Sequence, residues 1–227
     1  MTELASEHTG YAALEEESPE LAARNVITGG HLWASATAFF FVGFVFAYFY
    51  LRSINAGGMW RPKHVDPSLT LGTASMLCLV GAALVVRIGL GRLREGHRAV
   101  WQLEGALGLT LCLGSFVLQV AEWATQGFGP TQGGYASVYL GWTGVLSVFV
   151  LGATYWLETT FATALRYRNV PEGAGPPPGH ASGDPGRMGH DIADPLSLIR
   201  PQLTAVSFYL QFLAAIAVLT WVVLYLV

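Results

Sequence analysis

Five apolar stretches, each close to a bilayer thickness in length and separated by polar loops, dominate this chain: residues 30–51, 69–86, 99–121, 136–157 and 203–227. A helix rises about 1.5 Å per residue and the hydrocarbon slab is about 30 Å thick, so about 20 residues make one crossing. The pattern predicts an all-α, polytopic membrane protein, a bundle of five transmembrane helices. Composition excludes an ordinary water-soluble domain, because 52% of the 227 residues are hydrophobic and only 12% are charged. A net charge of −3 gives no electrostatic footprint for nucleic acid.

Residues 1–28 are polar and acidic, with Glu15, Glu16, Glu17 and Glu20, and lack the basic start and short apolar core of a secretory signal. They read as a retained cytoplasmic tail. Residues 29–168 then hold helices one to four, 169–202 form a flexible cytoplasmic loop crowded with Pro and Gly, and 203–227 form helix five. Cationic loops stay on the cytoplasmic side, and nine of the twelve Lys and Arg lie in the tail or after the second and fourth spans. The N-terminus is therefore expected inside and the C-terminus outside.

Polar groups within a bilayer are costly, so each one in a span is a candidate site. Gln119 and Glu122 lie near one end of the third span, three residues apart and so on one helical face, placed to hydrogen-bond an adjacent helix. Glu104 and Glu158 lie near the opposite ends of the third and fourth spans. Small residues (Gly105, Gly108, Ser137, Gly141, Gly144, Ser147) would let helices approach closely. Trp33, Trp60, Trp101, Trp123 and Trp156, near predicted ends, fit interfacial anchors. Cys78 and Cys112 lie in spans as packing residues, with no disulfide expected.

No metal site is expected. None of His8, His31, His64, His97, His180 and His190 lies deep in a span, as haem or copper ligation would require. His180, His190, Asp184, Asp191 and Asp194 share the long loop without fixed ligand spacing and read as solvated polar residues.

Four motifs in order carry a family resemblance. Span one ends Phe46-Ala-Tyr-Phe-Tyr-Leu-Arg-Ser53 and runs into Gly57-Gly-Met-Trp-Arg-Pro62; span three ends Leu118-Gln-Val-Ala-Glu-Trp123; span four opens Gly134-Tyr-Ala-Ser-Val-Tyr-Leu-Gly-Trp-Thr-Gly144. These are similar to Ala-Ala-Tyr-Phe-Tyr-Leu-Arg, Gly-Gly-x-Trp-Pro-Pro, Leu-Gln-x-Tyr-Glu-Tyr and Tyr-Gly-Ser-x-Phe-Phe-x-x-Thr-Gly of subunit III of the haem-copper terminal oxidases. The chain thus resembles a short, five-helix bacterial form of the cytochrome c oxidase subunit III family, over about residues 28–168 and 203–227. It departs from that family at four positions. Thr37 stands where the family usually has a carboxylate, and Leu146, Phe149 and Gln211 stand where it has His. None of these four side chains titrates.

The resemblance implies a non-catalytic subunit in a bacterial plasma membrane, packed beside the large subunit I and the other oxidase subunits, which would hold the haem and copper. It implies bound phospholipid and support of oxygen reduction and proton pumping by the large subunit, with no cofactor and no catalytic residue in this chain. Phe39, Phe40, Phe44, Phe46, Tyr48 and Arg52 are then expected to form a lipid-contacting wall, with Arg52 near the headgroups. Gln119, Glu122, Glu158 and Gln211 are the structural polar residues, the first two bracing helix ends. Two other readings are an accessory protein of a nitric oxide reductase, which would account for the replaced carboxylate and His, and a membrane scaffold or assembly protein. A small transporter is disfavoured by the absence of Pro and charge deep in the spans.

Overall fold

The computed structural model describes residues 19–55, 57–166 and 195–227. Glu15, Glu16 and Glu17 of the acidic tail, and the His and Asp residues of the long loop, lie outside the described residues. The elements are helices α1 (Pro19–Ser53), α2 (Leu69–Arg94), α3 (Arg98–Thr125), α4 (Gly134–Arg166) and α5 (Pro195–Trp221), closed by a π-helical turn at Val222–Leu226. Five helices are long and apolar enough to cross a membrane, and the chain is a multi-pass membrane protein with no strand among the described residues.

The helices outrun the apolar stretches that betray them. α1 begins at Pro19 rather than at residue 30, α4 continues to Arg166, and α5 begins at Pro195 rather than at 203. A polar flank can keep its backbone hydrogen bonds as well as an apolar one, so the helix continues past the membrane boundary. Proline at the first position is favourable, since its missing N–H has no intrahelical partner there. Residues 19–28 and 195–202, expected in the tail and the flexible loop, are therefore helical. Pro201 sits within α5, at the loss of one backbone hydrogen bond.

α5 packs against α1, α2 and α4, while α2 and α3 form the most extensive pair. Small residues set these distances. A Cβ on Gly105 would lie 2.7 Å from the Phe161 ring, and one on Gly108 would lie 2.5 Å from Val86. Both glycines are points of close approach between helices. Gly144 has no such neighbour within 4 Å.

At one end of the bundle the α1–α2 loop docks on the start of α4. Gly57 and Gly58, both with positive φ, turn the chain, and the Asn55 side chain accepts from Trp60 N–H at 2.9 Å. The Trp60 carbonyl accepts from Tyr135 N–H at 2.9 Å, satisfying one of the donors that a helix start leaves unpaired. Arg61 lies over the Tyr135 ring at 4.4 Å and pairs with Asp66 at 2.8 Å. Trp60, expected as an interfacial anchor, is instead buried between Tyr48 and Tyr135, and Trp101 is likewise internal.

Candidate functional site

The same end of the bundle holds a buried polar cluster centred on Glu122. Its side chain is 0% exposed, although it lies only three residues from the end of α3. Gln119, one turn earlier, donates from Nε2 to Glu122 Oε2 at 3.2 Å. The i, i+3 spacing brings the two together, as the sequence implies.

The interhelical partner comes from the C-terminus. Tyr225 Oη donates to both carboxylate oxygens of Glu122, each at 2.8 Å, and lies 3.3 Å from Tyr139 Oη of α4. Tyr225 reaches this position from the π turn, in which Val227 N–H pairs with the Val222 carbonyl five residues back. The wider turn rotates later side chains relative to a continued α-helix. It also needs room: a Cβ on Gly72 of α2 would collide with the Tyr225 ring, so only glycine admits the ring there.

Further bonds fasten the surrounding helices. Tyr135 Oη donates to the Leu224 carbonyl, tying α4 to the π turn. Trp221 Nε1 donates to Thr73 at 2.9 Å, joining α5 to α2, and Trp123 Nε1 donates to Thr143 at 3.1 Å, joining α3 to α4. Ser75 donates to the Ser115 carbonyl at 2.9 Å, joining α2 to α3. Hydrogen bonds thus join four helices in this part of the bundle.

The other sequence-derived residues are scattered. Glu158 and Gln211 are both exposed, Gln211 donating to Ser207 at 3.3 Å, and neither joins the cluster. Of the aromatic wall, Phe39, Phe40 and Phe46 are exposed at 79%, 57% and 68%, and Arg52 is exposed near them. Tyr48 is 1% exposed beneath Trp60, and Phe44 stacks on Trp142 at 5.9 Å. These two turn inward because α1 is apolar on every side, and only its neighbours decide which face is covered.

The positions that depart from the resembling family have ordinary packing partners. Thr37 is buried, donates to the Trp33 carbonyl at 2.8 Å and lies 3.2 Å from Tyr209 Oη of α5. Phe149 meets the rings of Trp33, Phe40 and Phe41, and Leu146 is buried. Cys78 and Cys112 are free. Among the described residues no group of three or more His, Cys, Asp and Glu is placed to hold a metal ion.

In comparison with known proteins, the aligned stretches take up more than half of the chain. A protein named cytochrome c oxidase subunit 3 from Gallus gallus is 26% identical over 147 residues, covering 62% of this chain and 56% of that protein. The chain resembles cytochrome c oxidase subunit 3. The subunit 3 of Tachyglossus aculeatus aculeatus is 29% identical over 144 residues, 60% of this chain and 54% of its own length. A bacterial relative, named probable cytochrome c oxidase subunit 3, from Nocardia farcinica is 25% identical over 132 residues, 56% of this chain and 64% of its own. The chain therefore spans little more than half the length of the vertebrate relatives it matches. No family model matches it.

Proposed function

We propose that this chain is a divergent subunit III of a bacterial haem-copper terminal oxidase, a helper that packs beside the large subunit in the plasma membrane with its N-terminus inside and its C-terminus outside. The observation that carries this reading is the similarity to proteins named cytochrome c oxidase subunit 3 in both vertebrates and a bacterium. Haem and copper belong to the partner subunits. Two buried polar groups support this division, being engaged within the chain: Glu122 is occupied by Tyr225 and Gln119, and Thr37 faces Tyr209. The chain's contribution is a rigid apolar body and a surface for phospholipid, with Phe39, Phe40 and Phe46 along acyl chains and Arg52 at the phosphates. Through that surface it supports oxygen reduction and proton pumping by the large subunit.

A second reading, an accessory protein of a nitric oxide reductase, is favoured by Thr37, Leu146, Phe149 and Gln211, which replace the carboxylate and imidazoles of the resembling family. Purifying the tagged chain from native membranes in mild detergent separates the two. An oxidase partner yields haem and copper bands with oxygen consumption, and a reductase partner yields nitric oxide consumption without copper. Recovery of the chain without any haem protein, or only in traces beside the active complex, contradicts both and leaves a scaffold or assembly role.

A further inference from the structure

Beside the Glu122 cluster, between α2, α3, α4 and α5, lies a cavity of about 30 Å³ as swept by the centre of a water-sized sphere. One water needs about 10–15 Å³ measured in that way, so the space suits one or two. Of the fifteen lining residues, eight carry a polar side-chain atom, and none is Asp, Glu, Lys, Arg or His. The cavity is partly open and apolar surface outweighs polar on its walls, so water would be held at its polar groups. The absence of charge on its walls disfavours an ion.

The walls also have a definite hydrogen-bonding character. Ser147 gives its proton to the Thr143 carbonyl at 2.8 Å, and Thr220 gives its proton to the Ile216 carbonyl at 2.8 Å. Their oxygens are left as acceptors. Gln119 is nine-tenths buried and commits its amide N–H to Glu122, and its side-chain carbonyl oxygen can only accept. Further along the same cavity, Ser75 and Ser115 place their hydroxyls 3.2 Å apart. A site rich in acceptors whose own protons are already engaged selects a small neutral donor, and water offers two O–H groups.

We propose that this partly open cavity is a water site, in which one or two waters donate to the Gln119 carbonyl and to the Ser147 and Thr220 hydroxyl oxygens. They extend the Glu122–Tyr225 cluster inward along the bundle toward Ser75 and Ser115. The four helices are then joined by a hydrated polar seam as well as by direct bonds. This inference is independent of which complex the chain joins.

Radiolytic labelling in water enriched in ¹⁸O tests it, using the full chain in its purified complex in lipid nanodiscs. Met76 lines the cavity, and Met59, exposed in the α1–α2 loop, serves as the solvent reference. Met76 is expected to gain ¹⁸O at a rate approaching that of Met59. Gln119→Leu should lower the Met76 rate about tenfold, because the amide acceptor is replaced by an apolar group that fills the space. Ser147→Val, which occupies the cavity without touching Glu122, gives the same readout should Gln119→Leu fail to accumulate. A Met76 that stays unlabelled in the unaltered chain shows a dry cavity and overturns the proposal. Labelling that persists undiminished in the variants shows water arriving elsewhere, and overturns it equally.

Discussion

α1 and α4 are both rich in aromatic residues, yet they are used in opposite ways. In the apolar core of α1 only 22% of residues are buried, against 50% in α4. The exposed rings of α1 include Phe39, Phe40 and Phe46, which have no polar atom to satisfy. Tyr135 and Tyr139 of α4 are fully buried and carry hydroxyls that bond the C-terminal turn. The contrast teaches that rings whose polar handles find partners, as those of Tyr135 and Tyr139 do, are drawn inward, although Phe41 is buried by packing alone and Tyr155 is exposed. Tyr48 of α1 is also turned inward, packed under Trp60 and beside Tyr135. Trp142 limits the contrast: its indole N–H is buried without a partner, and the residue is held by Phe41 and Phe44.

Truncations on the two helices give the sharpest break of this contrast. Trp142→Ala should destabilise the chain by about 3–5 kcal/mol, as for large buried aromatics, in a denaturant titration in mixed micelles. A loss below about 1 kcal/mol would show that α4 is not the packed core of the bundle. Gly72→Val drives a side chain into the Tyr225 ring and should cost about 1–3 kcal/mol. Its effect should shrink when Tyr225→Ala is introduced beside it, because the clash is then relieved; strict additivity would show that the C-terminal turn does not pack on α2.

Glu122→Leu leaves the Tyr225 hydroxyl and the Gln119 amide without their acceptor, at a cost of about 1–3 kcal/mol in the same titration. Tyr139→Phe removes a single interhelical contact and should cost about 0.6 kcal/mol, the average for such bonds in a membrane protein. The smallest change is expected on α1. Phe39→Ala should leave the isolated chain within about 0.5 kcal/mol of its original stability while lowering the phospholipid that co-purifies with the complex. A large loss of intrinsic stability would place Phe39 in the core and remove the distinction between the helices.

The spans were legible because twenty apolar residues have few other uses, and Gln119 with Glu122 was legible because i, i+3 spacing leaves two side chains on one face. Tyr225 was not. Its partner lies about a hundred positions away, and the π turn that aims it alters the helical phase on which spacing arguments rest. A signal did exist: a tyrosine in the last apolar stretch and a glycine at position 72 in the second. The inward turn of Phe44 and Tyr48 was hidden for another reason. α1 is apolar all round, so its sequence has no polar face to mark the outside. Helix ends were misplaced at residues 30 and 203 because hydropathy reports where the membrane core stops, not where backbone hydrogen bonding stops.

The central claim is that this bundle serves redox centres held by a neighbour. It is tested most directly by quantifying iron, copper and haem per polypeptide, first in the complex captured through this chain and then in the chain separated from its partners in mild denaturant. The account predicts stoichiometric haem and copper in the complex, all of it remaining with the large partner and none with this chain. Iron or copper retained in a one-to-one ratio by the separated chain would contradict it.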